Sequence, residues 1–193
     1  MSETVLTFDT NKDSLKTEKL LPVYSGTNPL LAERMPAFDF SQPPFNPQAF
    51  ADDLLFTMRH YHGLGLAANQ VGIRSRVFVL ESGMVCFNPR VVSVSEGCVH
   101  DREGCISFPG LWLRVNRPER IVAEYYDATG KVHQTEFVGM TARCFQHELD
   151  HLNGLVFTQH VGALTLQMAK KKQRKLFKKI ERIQEFKTQS RNI

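Results

Sequence analysis

The pentapeptide His147-Glu148-Leu149-Asp150-His151 constrains this chain more than any other feature of its sequence. On an α-helix, residues i and i+4 lie one turn apart on the same face, so both imidazoles can reach a single metal ion. Glu148, next to the first histidine, is then placed to act on a water at that metal. Thr141 as N-cap and Gly154 as stop predict a helix running to Asn153. Two histidines do not complete a site; a third protein ligand is required.

The pattern HExxHxxGxxH would take that ligand from a third histidine. Gly154 fits the pattern, but Phe157 stands at the deciding position, so a metalloprotease of that type fails there. A downstream glutamate would have to be Glu181 or Glu185, both in a lysine-rich stretch that reads as an exposed tail. A thiolate upstream is the better candidate. Two EGC triplets compete, Glu96-Gly97-Cys98 and Glu103-Gly104-Cys105, and one of them is a decoy. Cys105 leads through Ile106 and Ser107 into Phe108-Pro109, an extended edge entering a turn, whereas Cys98 reads as a loop or strand-end cysteine. A set of two histidines and one cysteine suits zinc or ferrous iron, with a fourth position open for water.

Gly63-Leu64-Gly65-Leu66-Ala67-Ala68-Asn69-Gln70 matches a dinucleotide-binding glycine pattern, with Glu81 about where a ribose-binding acid would fall. That reading requires a strand before the glycines and a helix after them. Here the run follows a predicted helix and leads into a strand. A small-residue segment of this kind lets backbone approach a substrate closely and places Gln70 as a donor to a carbonyl oxygen.

The helix before it starts at Asn46 as N-cap and Pro47 as first residue. Phe50, Leu54, Met58 and Tyr61 form its apolar stripe, and Gly63 stops it. Short β-rich runs follow at Val77–Leu80, Met84–Phe87 and Val91–Val94, with a turn at Glu81-Ser82-Gly83. A hairpin is expected from Ile121–Tyr126 and Lys131–Phe137 across Asp127-Ala128-Thr129-Gly130. A last helix should span Leu164–Lys187 with the narrow stripe Leu176, Ile180 and Ile183. The expected fold class is α+β: antiparallel sheets packed around a central HExxH helix, with a basic C-terminal helix. Three segments are expected: an N-terminal arm over 1–45, its first twenty or so residues mobile, a catalytic domain over 46–162, and the basic helix over 163–193.

The chain has 193 residues, 42% hydrophobic and 23% charged, which fits one packed domain and argues against disorder throughout. No apolar run reaches the roughly 18 residues of a membrane span. The N-terminus shows no secretory apolar core, and its first arginine is Arg34, so the expected location is cytoplasmic. Four cysteines without a CxxC pair are expected as free thiols or metal ligands. Charge is uneven. Residues 170–193 hold ten Lys or Arg against two Glu, a local balance of +8 in a chain of net +4, so the body is −4. Such a tail suits nucleic acid or another polyanion.

Taken together, Gly63–Gln70 (GxGxAAxQ), Glu103–Ser107 (EGCxS) and Gln146–Gly154 (QHExDHxxG) resemble the three motifs of the peptide deformylases, in that family's order. The resemblance covers roughly residues 46–160. It implies a metal held by Cys105, His147 and His151: ferrous iron (Fe2+), often replaced in purified material by zinc, nickel or cobalt. It implies hydrolysis of the N-formyl group of nascent peptides that begin with formylmethionine, releasing formate. Metal-bound hydroxide would attack the formyl carbon, with Glu148 as general base and then acid. The Gln70 amide and the Ile106 backbone N–H would stabilise the oxyanion. Leu64 and Cys144 would line the methionine pocket, and Gly65 would help fix the peptide backbone. Gln146 and Asp150 are expected to orient the histidines, Asp150 equally as a solvent-facing acid. Where many family members carry an arginine past EGCxS, this chain offers Trp112 or Arg114. The family's work on nascent chains suggests that residues 170–193 dock on the ribosome, through its RNA; alternatively their apolar stripe packs on the body. Two other classes stay in view: a catalytically silent ribosome-binding homologue and an HExxH metalloprotease.

Overall fold

Asn46 opens the first helix as its sequence predicts. Its side-chain oxygen accepts the Ala49 N–H at 2.9 Å, and Pro47 occupies the first position, where no N–H is needed. This computed structural model describes residues 18–189, so the expectation of a mobile segment before them lies outside the described residues. Helix α1 covers Pro47–His60 and buries Phe50, Leu54 and Met58. The stripe ends there. Tyr61 is exposed, and the chain turns at His62, whose φ of 54° is left-handed, so the stop precedes Gly63.

After α1 come β1 (Gly65–Ala67), a short 3-10 turn over Ala68–Val71, β2 (Val77–Leu80) and β3 (Val85–Val94). The two runs read as separate strands between Met84 and Val94 are one strand with an irregular middle. Asn88 takes φ 48° before Pro89, and the pairing register shifts between Phe87 and Arg90. The Asn88 amide bonds both backbone groups of Phe38, tying the N-terminal stretch to the sheet. That stretch also buries Leu30, Leu31, Met35 and Phe38. Next follow β4 (Cys98–Cys105), β5 (Phe108–Pro118), β6 (Arg120–Tyr126) and β7 (Val132–Val138).

Strands β1-β2-β3-β6-β7 form one antiparallel sheet in that order, and β4 and β5 form a separate two-stranded ribbon. Helix α2 (Gly139–Leu152) touches strands of both. Its apolar face, Ala142, Phe145 and Leu152, meets Phe78, Ile121, Ala123 and Phe137 of the large sheet. Its other face is left for the ribbon. Thr141 is not the cap: α2 begins two residues earlier, where Gly139 at φ 61° turns the chain directly out of β7. Gly154, at φ 76°, follows the helix as its stop. A mixed fold of helices and antiparallel sheet results.

Helix α3 (Ala163–Gln189) lies along β5 at its start, where Leu166 and Ala169 join the buried Leu111, Leu113, Val115 and Phe157. Further on, Leu176 still lies over Gly110 of β5, but Leu176, Ile180 and Ile183 all stay largely exposed, so the stripe packs on the body at its first residue at most. Among the described residues, no helix is long and apolar enough to cross a membrane.

Candidate metal centre

Cys105 ends β4, and α2 presents His147 and His151 one turn apart toward it. One ligand atom from each of the three lies within 4.8 Å of those of the other two. The Cys105 Sγ is 3.3 Å from Nε2 of His151, and the two imidazole rings meet edge to face at 5.0 Å. Both histidines are buried. Cys98 sits at the opposite end of β4 and is exposed.

The far nitrogen of His147 is fixed by a residue the sequence reading gave no role. Nδ1 of His147 lies 3.0 Å from Oε2 of Glu103, itself buried. Glu103 also accepts from Nε of Arg117 at 2.6 Å and from Nη1 of Arg143 at 2.6 Å. Arg117 reaches on to Asp150 at 2.8 Å, and Asp150 faces Nε2 of His160 at 2.8 Å. The roles expected of Gln146 and Asp150 are thus corrected. The Gln146 amide donates to the carbonyls of Pro118 and Ala142, and Asp150 bonds Arg117 and His160 rather than a ligand histidine. Glu103 could have been suspected from its place two residues before Cys105 on an extended segment, where alternate side chains share a face.

These neighbours set the charges. Burial works against an ionised Glu103, but the hydrogen bonds and charges of His147 and Arg117 overcome it and hold the carboxyl at about 2. Burial likewise opposes a charged His147, yet Cys105 and Glu103 raise it to about 10. His151 is pushed well below the usual imidazole range by burial and by the charges of His147 and Arg117, so its nitrogens are neutral. The set fits a divalent metal. A thiol and two imidazoles converge, an anionic environment at His147 calls for a cation, and His151 offers a neutral lone pair. Nδ1 of His151 and Oε2 of Glu148 are buried without a protein partner.

A cleft of about 420 Å³ opens over this point, lined by Leu64, Gly65, Gln70, Cys105, Ile106, Cys144, His147 and Glu148. His151 lies beneath it, held by Asn69, whose side-chain amide donates to the His151 carbonyl at 2.7 Å. Gln70 is buried and oriented: Oε1 accepts the Ala67 N–H at 2.8 Å, which turns Nε2 toward Ser107 Oγ at 3.1 Å and Cys105 Sγ at 3.4 Å. Gly65 touches Glu148 so closely that a Cβ there would lie 2.5 Å from Oε1. Burial, with the charges of Glu103 and Asp150 added, raises Glu148 to about 7. Burial first, then Glu148 and Glu103, push the Cys144 thiol up to about 12, which keeps it protonated as an uncharged wall of the cleft. Phe157 is buried 5.6 Å from the His147 ring and offers packing, not a ligand atom. Of the two residues beyond EGCxS, Trp112 lines the cleft and Arg114 does not; the arginines at the cleft are Arg143, bonded to Glu103, and Arg102, over the Trp112 ring at 5.2 Å.

This geometry coincides with a known family. The profile of the family described as polypeptide deformylase matches residues 21–167. A peptide deformylase of Rhizobium meliloti (strain 1021) is 41% identical over 126 residues, covering 61% of this chain and 72% of that protein. The crystal structure of a peptide deformylase from Legionella pneumophila superposes with a TM-score of 0.76 at 30% identity, covering 84% of this chain and 98% of that one. That of the Synechococcus elongatus enzyme in complex with actinonin gives 0.73 at 31% identity, covering 77% and 85%. With sequence, fold and site in agreement, the chain belongs to the polypeptide deformylase family of enzymes.

Proposed function

We propose that this protein hydrolyses the N-formyl group of nascent peptides beginning with formylmethionine, leaving a free α-amine and formate. The observation that carries the reading is the convergence of Cys105, His147 and His151 beneath a cleft that also holds Glu148 and Gln70. Those three side chains would hold the metal: ferrous iron, or zinc, nickel or cobalt in its place. Bound there, a divalent metal supplies Lewis acidity, polarising a carbonyl and making water nucleophilic near neutral pH.

The chain's own residues do the rest. Glu148, raised to about 7 by burial, takes a proton from the attacking water and returns it to the leaving amine. Nε2 of Gln70, aimed by the bond between Oε1 and the Ala67 N–H, donates to the former formyl oxygen as its charge develops. The Ile106 backbone N–H is the second donor. Leu64 and Cys144 form the walls for the methionine side chain, and Gly65 gives the peptide backbone and Glu148 room to approach. Glu103 holds His147 in the orientation that points its free nitrogen at Cys105 and His151.

In this reading α2 is the element around which the catalytic region over 46–162 is organised. Residues 18–45 serve as an arm, and the basic helix α3 associates with the ribosome through its RNA. The test of the chemistry is Glu148→Ala assayed with formyl-Met-Ala-Ser. The variant should keep its metal and release no formate, because proton transfer is lost while every ligand remains. Loss of metal, or full turnover without Glu148, would remove the glutamate from the proposed role.

A further inference from the structure

The outward face of the β4–β5 ribbon carries positive charge that the protein balances only loosely, by Asp101 beside Arg114. Arg102 and Arg114 are direct cross-strand partners, an arrangement in which like charges repel. Trp112 rests on Gly104, where a Cβ would come within 3.0 Å of the indole, and Arg102 is stacked over that ring. Arg114 approaches Asp101 only to 4.0 Å, with both side chains about half exposed. Among the described residues, neither Arg102 nor Lys172 forms an ion pair with a carboxylate.

Helix α3 supplies the opposite wall. Ala169 packs on the Leu111 and Leu113 cluster, and the Gln173 amide donates to the Pro109 carbonyl at 2.7 Å, tying the helix across β5. Between helix and ribbon runs a groove of about 630 Å³ lined by Arg102, Gly110, Trp112, Arg114, Lys172 and Leu176. Arg102, Gly110 and Trp112 also line the cleft over the metal ligands, so the groove adjoins it at those residues.

We propose that this groove is a subsite for acidic side chains of the substrate peptide, downstream of its formylmethionine; the proposal rests on the deformylase reading. A peptide with its formyl end beside Cys105 leaves the cleft over the shoulder the two cavities share. Its later residues then lie among Arg102, Arg114 and Lys172. Carboxylates there gain charge-assisted hydrogen bonds and relieve the repulsion between the paired arginines, whereas lysines add to it. RNA phosphates would meet the same cations. Continuity with the cleft and the apolar surface of Trp112 and Leu176 favour a peptide.

The test is kcat/KM on C-terminally amidated formyl-Met-Ala-Ala-Xaa-Xaa, with Xaa as Glu, Gln or Lys. Amidation leaves side chains as the sole carboxylates, and a free-acid Gln peptide run alongside reports any effect of a terminal carboxylate. The expected order is Glu, then Gln, then Lys, spanning about 3- to 10-fold, carried by KM and shrinking at high salt. The double reversal Arg114→Glu with Lys172→Glu should invert that order while turnover of formyl-Met-Ala-Ser and the melting temperature hold. Lys172→Glu alone should flatten it. Equal values for all three peptides, an order the reversal leaves intact, or an effect confined to the terminal carboxylate would overturn the subsite. So would a flat peptide order accompanied by loss of binding to a single-stranded RNA oligonucleotide in the reversed variant. Failure of every formyl-peptide, formyl-Met-Ala-Ser included, would instead overturn the deformylase reading and the subsite with it.

Discussion

A methyl group on Gly65 would stand 2.5 Å from Oε1 of Glu148 and 2.7 Å from its Cγ. The backbone of β1 and the buried carboxylate therefore hold each other in place, and glycine is the residue that permits it. Gly65→Ala must push Glu148 out of line with the bond it serves. A displacement of about 1 Å is enough to lower kcat by about 100-fold. Metal content should be unchanged, because Gly65 touches no ligand. Steady-state kinetics with metal analysis checks both, and an undiminished kcat would contradict the proposed placement of Glu148.

Glu103 gathers His147, Arg117 and Arg143 around one buried carboxylate. Glu103→Gln leaves the buried Arg143 without its counter-charge and Arg117 with Asp150 alone, at an expected cost of about 3–5 kcal/mol. It also releases the orientation of His147, which should weaken metal binding by about 10- to 100-fold. The dependence on acid should change too. Because folding lowers this carboxyl from 4.5 to about 2, its contribution is full above about pH 4.5 and is lost as pH falls toward 2. Acid unfolding followed by circular dichroism should be steeper over that window in the native protein than in the variant. Identical acid profiles would show that Glu103 is not ionised in the fold.

Ile180 and Ile183 stand exposed on α3 between lysines and arginines, beyond Leu176 at the edge of β5. Deleting residues 170–193 removes the +8 segment and leaves Leu166 and Ala169 on the ribbon. Turnover of formyl-Met-Ala-Ser should persist, and co-sedimentation with ribosomes should weaken, most visibly at low salt, where phosphate contacts contribute most. Undiminished co-sedimentation would remove the tail from ribosome association.

What the sequence displays locally and what only the fold assembles divide along physical lines. Asn46-Pro47 and the hairpin turn at Asp127 are recognisable because the capping and turn bonds close within a few residues. The alternation of buried Leu111, Leu113 and Val115 with exposed Trp112, Arg114 and Asn116 is also written in the sequence. Pro109-Gly110 masks it by resembling a turn, although both lie within β5. Thr141 misleads because a β-strand running directly into a helix needs a left-handed residue, here Gly139, more than a side-chain cap. The Glu103 cluster was not readable at all as a cluster. Its partners Arg117, Arg143 and His147 lie 14, 40 and 44 residues away, and no local pattern links a strand carboxylate to arginines on β5 and α2.

The most direct measurement is formate release from formyl-Met-Ala-Ser by protein purified anaerobically with ferrous iron, beside Cys105→Ala treated identically, with bound metal quantified in both. Stoichiometric metal and rapid turnover in the native protein, both lost in the variant, are the predicted result. A folded, metal-loaded native protein that releases no formate, or a Cys105→Ala variant that keeps metal and turnover, would contradict it.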